Sequence, residues 1–216
     1  MGPEIYLLDL LGTFTFAAYG AYVGQRKQFD IFGIFTCAFL TALGGGTIRE
    51  VILGNTLFYF SDYNYVYAII LGTVFSIFVY DKFEQINRYM LVVDAVGLTT
   101  FALIGAAKAG EADLGAFAII FLATISAVGG GLLRDVSIRE VPQIFYRDFY
   151  ASPAIFLGVM YAAFSGYMDN SLCVYALITC TFILRLLAVH FKIDLWGPRR
   201  KKANDPGLHN IDAAEH

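Results

Sequence analysis

The stretch GGGTIRE occupies residues 44–50, and GGGLLRD occupies residues 129–135. Each follows a long apolar run that carries almost no charge. Both place three consecutive glycines before an arginine and an acid, and the two stretches start 85 residues apart. A motif of this kind, written twice in the same apolar setting, indicates that the chain contains two copies of one unit.

The composition is that of a membrane protein. Of the 216 residues, 58% are hydrophobic and 15% are charged, and the mean hydropathy is +0.63; a soluble domain carries nearer a quarter charged residues. Seven apolar runs approach the roughly 20 residues that a spanning helix needs. They cover residues of about 5–23, 31–53, 66–80, 91–107, 115–138, 150–168 and 173–191. The sequence predicts an all-α integral membrane protein with seven transmembrane helices in one domain, residues 1–191.

Lysine and arginine alternate between the two sides of these runs. Only Lys108 lies in an even-numbered connection, whereas the odd-numbered ones carry Arg26, Lys27, Lys82, Arg88, Arg139 and Arg147. The positive-inside rule then places the amino terminus outside and the carboxyl terminus in the cytoplasm, in the plasma (inner) membrane of a prokaryote. The tail, residues 192–216, is predicted to be basic and disordered. Its basic run at 199–202 is either a stop-transfer signal or a contact for anionic membrane lipids.

The 85-residue offset holds across two spans without a gap. It superposes Asp9 on Asp94, Gly12 on Gly97, Phe16 on Phe101, Gly20 on Gly105, and residues 44–46 on 129–131. The first copy covers about 5–80 and the second about 91–168, with three spans each. An odd number of spans inserts the second copy upside down, which is typical of transporters and channels with a working site near the midplane. The seventh span has no counterpart and is expected to be peripheral.

The glycine triplets allow two interpretations. Each glycine weakens a helix by about 1 kcal/mol relative to alanine, so a triplet predicts a break in spans two and five. A break would free the backbone carbonyls of Gly44, Gly45, Gly129 and Gly130 to coordinate a monovalent cation, or expose amides to an anion. The alternative is that Gly44, Gly45, Gly46, Gly129, Gly130 and Gly131 allow two helices to pack closely without a break.

The ionisable residues in the spans are candidates for function, because such groups are costly in a membrane and face the protein interior or water. They are Asp9, Arg49, Glu50, Asp94, Arg134 and Asp135. Neighbours on a helix point about 100° apart, so Arg49 is expected to pair with Asp9 and Arg134 with Asp94 rather than with the adjacent acid. These pairs either line a permeation path or only lock the bundle. Arg185 is expected to reach the inner surface or a neighbouring subunit.

Other chemistry finds no support in the sequence. The three histidines and three cysteines do not have metal-ligand spacing, and no nucleophile–base arrangement is visible. We therefore expect no enzyme activity, no cofactor and no nucleic-acid partner.

The doubled glycine–arginine–acid motif, in two three-span copies followed by a seventh span, resembles the prokaryotic branch of the trimeric intracellular cation (TRIC) channel family. The bacterial members share a domain also described as a glycine transporter. The resemblance implies a homotrimer with one pore per subunit, spans two and five kinked at the glycines, and passage of K⁺ or Na⁺. It places residues 44–46 and 129–131 on the pore, with Arg49 and Arg134 near the constriction.

Two arginines beside a cation path repel the ion unless Asp9, Glu50, Asp94 and Asp135 neutralise them. A secondary transporter of glycine or a similar small zwitterion fits arginine more directly. The sequence leaves both functions open, because each uses an inverted repeat and a midplane site.

Overall fold

The computed structural model describes residues 3–84, 87–145, 149–168 and 170–191. Within these ranges the chain forms eight α-helices and two short 3-10 helices, Gln143–Phe145 and Ser165–Tyr167. The α-helices are α1 Pro3–Arg26, α2 Ile31–Leu53, α3 Phe58–Ser61, α4 Asn64–Glu84, α5 Asn87–Glu111, α6 Ala116–Ser137, α7 Ser152–Ala163 and α8 Ser171–Phe191. The predicted all-α class is confirmed for the described residues, and the predicted tail lies outside them.

Five of these helices are long and apolar enough to cross a membrane: α1, α2, α5, α6 and α8. The apolar parts of α4 and α7 are shorter, covering Asn64–Tyr80 and Ser152–Ala163. The connection between the third and fourth predicted spans is mostly helical, because α4 continues to Glu84 and α5 begins at Asn87.

The ends of α2 and α6 place an acid at the same point of each copy. After α2, Gly54 adopts a left-handed conformation with a φ of 70°, and the Asn55 amide donates to the Glu50 carbonyl at 2.9 Å. After α6, Arg139 has a φ of 58°, and the Glu140 amide donates to the Asp135 carbonyl at 2.9 Å. Left-handed residues of this kind commonly end helices by satisfying their last carbonyls. Both acids therefore lie in the last turn of their helix.

The helices pack as two equivalent units. In the first copy α1 contacts α2 and α4, and in the second copy α5 contacts α6 and α7. The units meet where α1 contacts α5 and α2 contacts α6. At the first of these junctions Phe16 stacks on its repeat counterpart Phe101, with ring centroids 5.1 Å apart. Contact between equivalent residues is what a twofold relation between the copies produces.

The last helix lies at the edge of this arrangement. Its main contacts are with α5 and α7, and only 17% of its most apolar segment is buried. Most of α8 is thus peripheral, as expected, although four of its residues, including Arg185, are buried.

Candidate functional site

The glycine triplets form the crossing point of α2 and α6. A Cβ atom at Gly45 would lie 2.2 Å from the Ser126 carbonyl oxygen, and one at Gly130 would lie 2.1 Å from the Thr41 carbonyl oxygen. A Cβ at Gly44 would come within 3.1 Å of the Gly130 Cα. The two helices therefore touch backbone to backbone, which only glycine permits at these positions.

The predicted break in these helices is not present. Helix α2 runs without interruption from Ile31 to Leu53, and α6 from Ala116 to Ser137, through both triplets. The carbonyls of the glycines thus lie within an α-helical hydrogen-bonding ladder rather than free for a cation. The expectation of a break is wrong for this conformation, because burying each triplet against the other helix offsets the intrinsic weakness of glycine.

The third glycine of each triplet lies beside the arginine that follows it by three residues. A Cβ at Gly46 would lie 2.9 Å from the Phe58 ring and 3.7 Å from a terminal nitrogen of Arg49, and one at Gly131 would lie 3.5 Å from the Tyr150 hydroxyl and 3.8 Å from a terminal nitrogen of Arg134. Residues three apart on a helix are surface neighbours, so each guanidinium folds back over its glycine. The first two glycines bring the helices together. The third lies beneath a guanidinium, and the group that a Cβ at Gly46 would crowd is the Phe58 ring.

Arg49 is the centre of the first of two charge clusters. Its side chain is fully buried, and it pairs with Glu50, with Nε 2.9 Å and a terminal nitrogen 2.8 Å from Oε1. The Lys108 ammonium from α5 contacts the same Oε1 at 2.6 Å, and the Asn55 side-chain amide donates to Oε2 at 2.9 Å. The guanidinium carbon lies 5.9 Å from the centroid of the Phe58 ring.

Asp9 completes this first cluster, which consists of Asp9, Arg49, Glu50 and Lys108. Its Oδ2 accepts a hydrogen bond from the Tyr65 hydroxyl at 2.8 Å. Its other oxygen, Oδ1, is buried and has no hydrogen-bond partner among the described residues. The terminal nitrogens of Arg49 make no hydrogen bond to those residues either, although one of them is ion-paired with Glu50. The first cluster is therefore only partly satisfied by protein groups.

Arg134 occupies the equivalent place in the second cluster. Its Nε and one terminal nitrogen donate to Asp135 Oδ1 at 2.9 and 2.6 Å, and the other terminal nitrogen contacts the Thr41 hydroxyl at 3.4 Å. Asp135 Oδ2 accepts from the Gln143 backbone amide at 3.1 Å. The guanidinium carbon lies 5.2 Å from the centroid of the Tyr19 ring.

Asp94 and Arg185 complete the second cluster, which consists of Asp94, Arg134, Asp135 and Arg185. Asp94 accepts from the Tyr150 hydroxyl at 3.2 Å, and Arg185 of α8 lies 3.4 Å from its other oxygen. Arg185 is 2% exposed and its guanidinium carbon lies 4.7 Å from the Tyr150 ring centroid. Arg185 was predicted to reach the inner surface or a neighbouring subunit. It is buried inside the chain instead, so that prediction is wrong.

The predicted ion pairs are also wrong. Arg49 pairs with Glu50 rather than with Asp9, and Arg134 pairs with Asp135 rather than with Asp94. The divergence of about 100° between neighbouring Cβ atoms does not prevent pairing, because the arginine side chain is long enough to curl around the helix. Asp94 instead pairs with Arg185 of α8, a helix that lies outside the repeat.

Each cluster holds two acids and two bases. Two of the bases, Arg49 and Arg134, follow the repeat, whereas Lys108 and Arg185 have no counterpart in the other copy. With all groups ionised, the formal charge of each cluster is zero. Since interactions between charges are strongest where water is excluded, this balance removes the repulsion that two isolated arginines would exert on a passing cation.

Four residues of the site were not predicted from the sequence, and only two of them left a recognisable pattern in it. Tyr65 and Tyr150 obey the 85-residue offset, and each donates to the repeated aspartate of its own copy. The repeat therefore contained a signal for these tyrosines. Lys108 and Arg185 break the repeat, and no pattern in the sequence assigns them to a cluster.

A cavity of about 280 Å³ opens beside the second cluster. Its wall includes Asp135, Tyr19 and Gln143. Arg26, Lys27 and Glu140 also line it, and Lys27 forms an ion pair with Glu140. The second cluster is thus reached from a polar cavity at the end of α1 and α6.

We expect the two tyrosines to differ in importance. Tyr65→Phe removes the one hydrogen bond that the described residues give to the Asp9 carboxylate, whereas Tyr150→Phe leaves Asp94 with Arg185. Loss of the last partner of a buried polar group lowers the free energy of unfolding by about 1–3 kcal/mol. Thermal unfolding in detergent should therefore show a larger loss for Tyr65→Phe. Equal losses would contradict the assigned role of Arg185.

Comparison with known proteins agrees with the division of the chain into two copies. A family model described as "Glycine transporter" matches the chain twice, over residues 6–81 and 91–166. A UPF0126 membrane protein of Deinococcus radiodurans is 36% identical over 157 residues, covering 71% of this chain and 73% of the relative. The UPF0126 inner membrane protein YadS of Escherichia coli strain K12 is 32% identical over 197 residues, covering 88% and 94%.

Solved structures are similar over nearly the whole chain. A TRIC cation channel superposes with a TM-score of 0.83 at 31% identity, covering 91% of this chain and 98% of the channel. The TRIC trimeric intracellular cation channel orthologue from Rhodobacter sphaeroides gives a TM-score of 0.82 at 31% identity, covering 89% and 100%.

Proposed function

Because this chain belongs to the family described as glycine transporter, whose solved structural neighbours are TRIC cation channels, we propose that it is a passive channel for the monovalent cations K⁺ and Na⁺. The family is one of multi-pass membrane proteins and not of enzymes. The observation that carries the proposal is the pair of neutral charge clusters on either side of the glycine crossing. The positive charge of each buried arginine is neutralised by the acid that follows it in the sequence.

The path we propose passes between α2 and α6, along the residues that the sequence singled out. It involves Gly44, Gly45, Gly46, Arg49, Glu50, Gly129, Gly130, Gly131, Arg134 and Asp135, with Asp9 and Asp94 beside them. Conduction would need the closely packed triplets to separate, and a bend of α2 and α6 at their glycines is the simplest way to do so. Glycine supports such a bend because it weakens a helix more than any residue except proline.

The assembly we propose is a homotrimer with one pore per subunit and membrane lipids around it. Each subunit would have seven spans, with α1, α2 and α4 inverted relative to α5, α6 and α7, and α8 as the seventh. The placement of basic residues supports an external amino terminus and a cytoplasmic carboxyl terminus. The double match of the family model supports the two repeats within a single domain.

A second candidate is transport of a small zwitterion such as glycine. The observation that favours it is the set of groups in the first cluster that have no partner among the described residues, namely one terminal nitrogen of Arg49 and Asp9 Oδ1. Cationic donors and an anionic acceptor complement the carboxylate and the ammonium of an amino acid.

Flux assays separate these functions. Purified protein in liposomes is expected to release K⁺ down its gradient and to give no accumulation of labelled glycine above protein-free liposomes. Arg49→Ala should raise K⁺ flux, since the formal charge of the first cluster changes from zero to −1 and the local potential becomes attractive to cations. Glycine uptake that Arg49→Ala abolishes, without K⁺ flux in either protein, would establish the transporter instead.

A further inference from the structure

Lys108 differs from every other base in the two clusters by its access to water. Its side chain is 22% exposed, whereas Arg49, Arg134 and Arg185 are all at most 3% exposed. It reaches from the last turn of α5 to Glu50 in the last turn of α2, with 2.6 Å between the ammonium nitrogen and Oε1. A flexible four-carbon stem carries that ammonium, so it is able to leave the acid for solvent without disturbing a helix.

The groups around this ammonium form a cation site without it. Glu50 is 1% exposed, and it keeps Arg49 on Oε1 and the Asn55 amide on Oε2. Asp9 adds a second buried carboxylate, whose Oδ1 has no hydrogen-bond partner among the described residues. Removal of Lys108 leaves two acids and one base, which is one uncompensated negative charge in a buried place.

A lysine ammonium is a compact, strongly hydrated point charge, close in size to K⁺. We propose that Lys108 is a tethered cation that competes with the permeant monovalent cation for a binding site at Glu50 and Asp9. The proposal rests on the proposed channel function and adds the location of an ion-binding site and the residue that regulates its occupancy. The second cluster has no such device, since its extra base, Arg185, is buried.

The consequence is a dependence of conduction on K⁺ concentration. At low K⁺ the ammonium occupies the site, and at high K⁺ the free ion displaces it. A partly exposed ion pair is worth up to about 1 kcal/mol, which corresponds to roughly a fivefold change in the K⁺ concentration that half-saturates the current.

The test compares Lys108→Met with Lys108→Arg in planar bilayers over a range of KCl concentrations. Lys108→Met should lower the half-saturating K⁺ concentration about fivefold, with little difference from the wild type at high KCl. Lys108→Arg keeps the charge on a larger, planar group and should therefore lower the half-saturating concentration less than Lys108→Met does. Lys27→Met is the matched control, because it removes a lysine from an exposed ion pair with Glu140. A half-saturating concentration that Lys108→Met leaves unchanged would overturn the proposal.

A binding measurement keeps this test independent of conduction. Thermal unfolding of purified protein in detergent is compared in KCl and in N-methylglucamine chloride at equal ionic strength. A bound cation stabilises the folded state by mass action, so K⁺ should raise the unfolding temperature of Lys108→Met more than that of the wild type. If neither protein conducts but this difference appears, the channel function fails and the site stands. If both conduct and the difference is absent, the site fails and the channel stands.

Discussion

Gly130→Ala is expected to lower the free energy of unfolding by about 1–3 kcal/mol, the usual effect of overpacking a well-packed interior. The added Cβ would lie 2.1 Å from the Thr41 carbonyl oxygen of α2. The end of a side chain can rotate away from an added Cβ, but a backbone carbonyl cannot. The clash is therefore relieved only if α2 and α6 move apart. Alanine also gains about 1 kcal/mol of helix propensity over glycine, and the expected loss is what remains after that gain. Thermal unfolding in detergent measures it.

Gly115→Ala is the matched control for this substitution. Gly115 precedes α6 with a φ of −65°, and a Cβ there would have no atom within 4 Å. It should leave stability unchanged within about 0.5 kcal/mol, as surface substitutions usually do. If Gly130→Ala unfolds at the same temperature as Gly115→Ala, the backbone contact between α2 and α6 is not what holds the crossing together.

Arg185→Met is expected to have a still larger effect, about 3–5 kcal/mol, which is the usual result of removing one partner of a buried ion pair. It leaves the Asp94 carboxylate, 1% exposed, with the Tyr150 hydroxyl as its one hydrogen-bond partner in the part of the chain that the structure describes. Methionine is apolar and flexible, so it fills much of the space of the arginine stem and the loss of charge dominates. The unfolding temperature and the yield of folded protein should both fall sharply.

The double variant Asp94→Asn with Arg185→Met separates charge from packing. Removing the unpaired acid should recover most of the stability that Arg185→Met loses, because contacting residues are energetically coupled. Lys27→Met is the control for loss of a base, since its pair with Glu140 is 41% and 46% exposed and such pairs contribute at most about 1 kcal/mol. A double variant no more stable than Arg185→Met would show that Arg185 acts through its packing alone.

The sequence was sufficient to predict the helical class, the repeat and the residues of the crossing. Apolar run length and the 85-residue offset are local or pairwise patterns, and they carried over to the helices and to the contact between Phe16 and Phe101. The same patterns predicted a break at the glycines, because helix propensity is a property of one segment. The backbone contact that compensates for it comes from the other copy and is visible only in the fold.

The ion pairs illustrate a second limit. Symmetry placed Asp9 near Arg49 and Asp94 near Arg134, but it could not show how far each arginine curls toward its neighbouring acid. It also could not supply Lys108 and Arg185, since neither obeys the repeat. Charge balance at this site is completed by residues outside the internal symmetry, and only their positions in the fold assign them to a cluster.

The reversal potential under a KCl gradient tests most directly whether the compensated arginines line a cation path. Purified protein is placed in a planar bilayer between KCl solutions that differ tenfold in concentration. A perfectly cation-selective path gives a potential of about 59 mV in magnitude, the value for a tenfold ratio of a monovalent ion. We predict a reversal potential close to the K⁺ equilibrium potential, because both clusters are neutral and the second carboxylate of each lies beside the path. A reversal potential near that of Cl⁻, or no current from folded protein, would contradict this account.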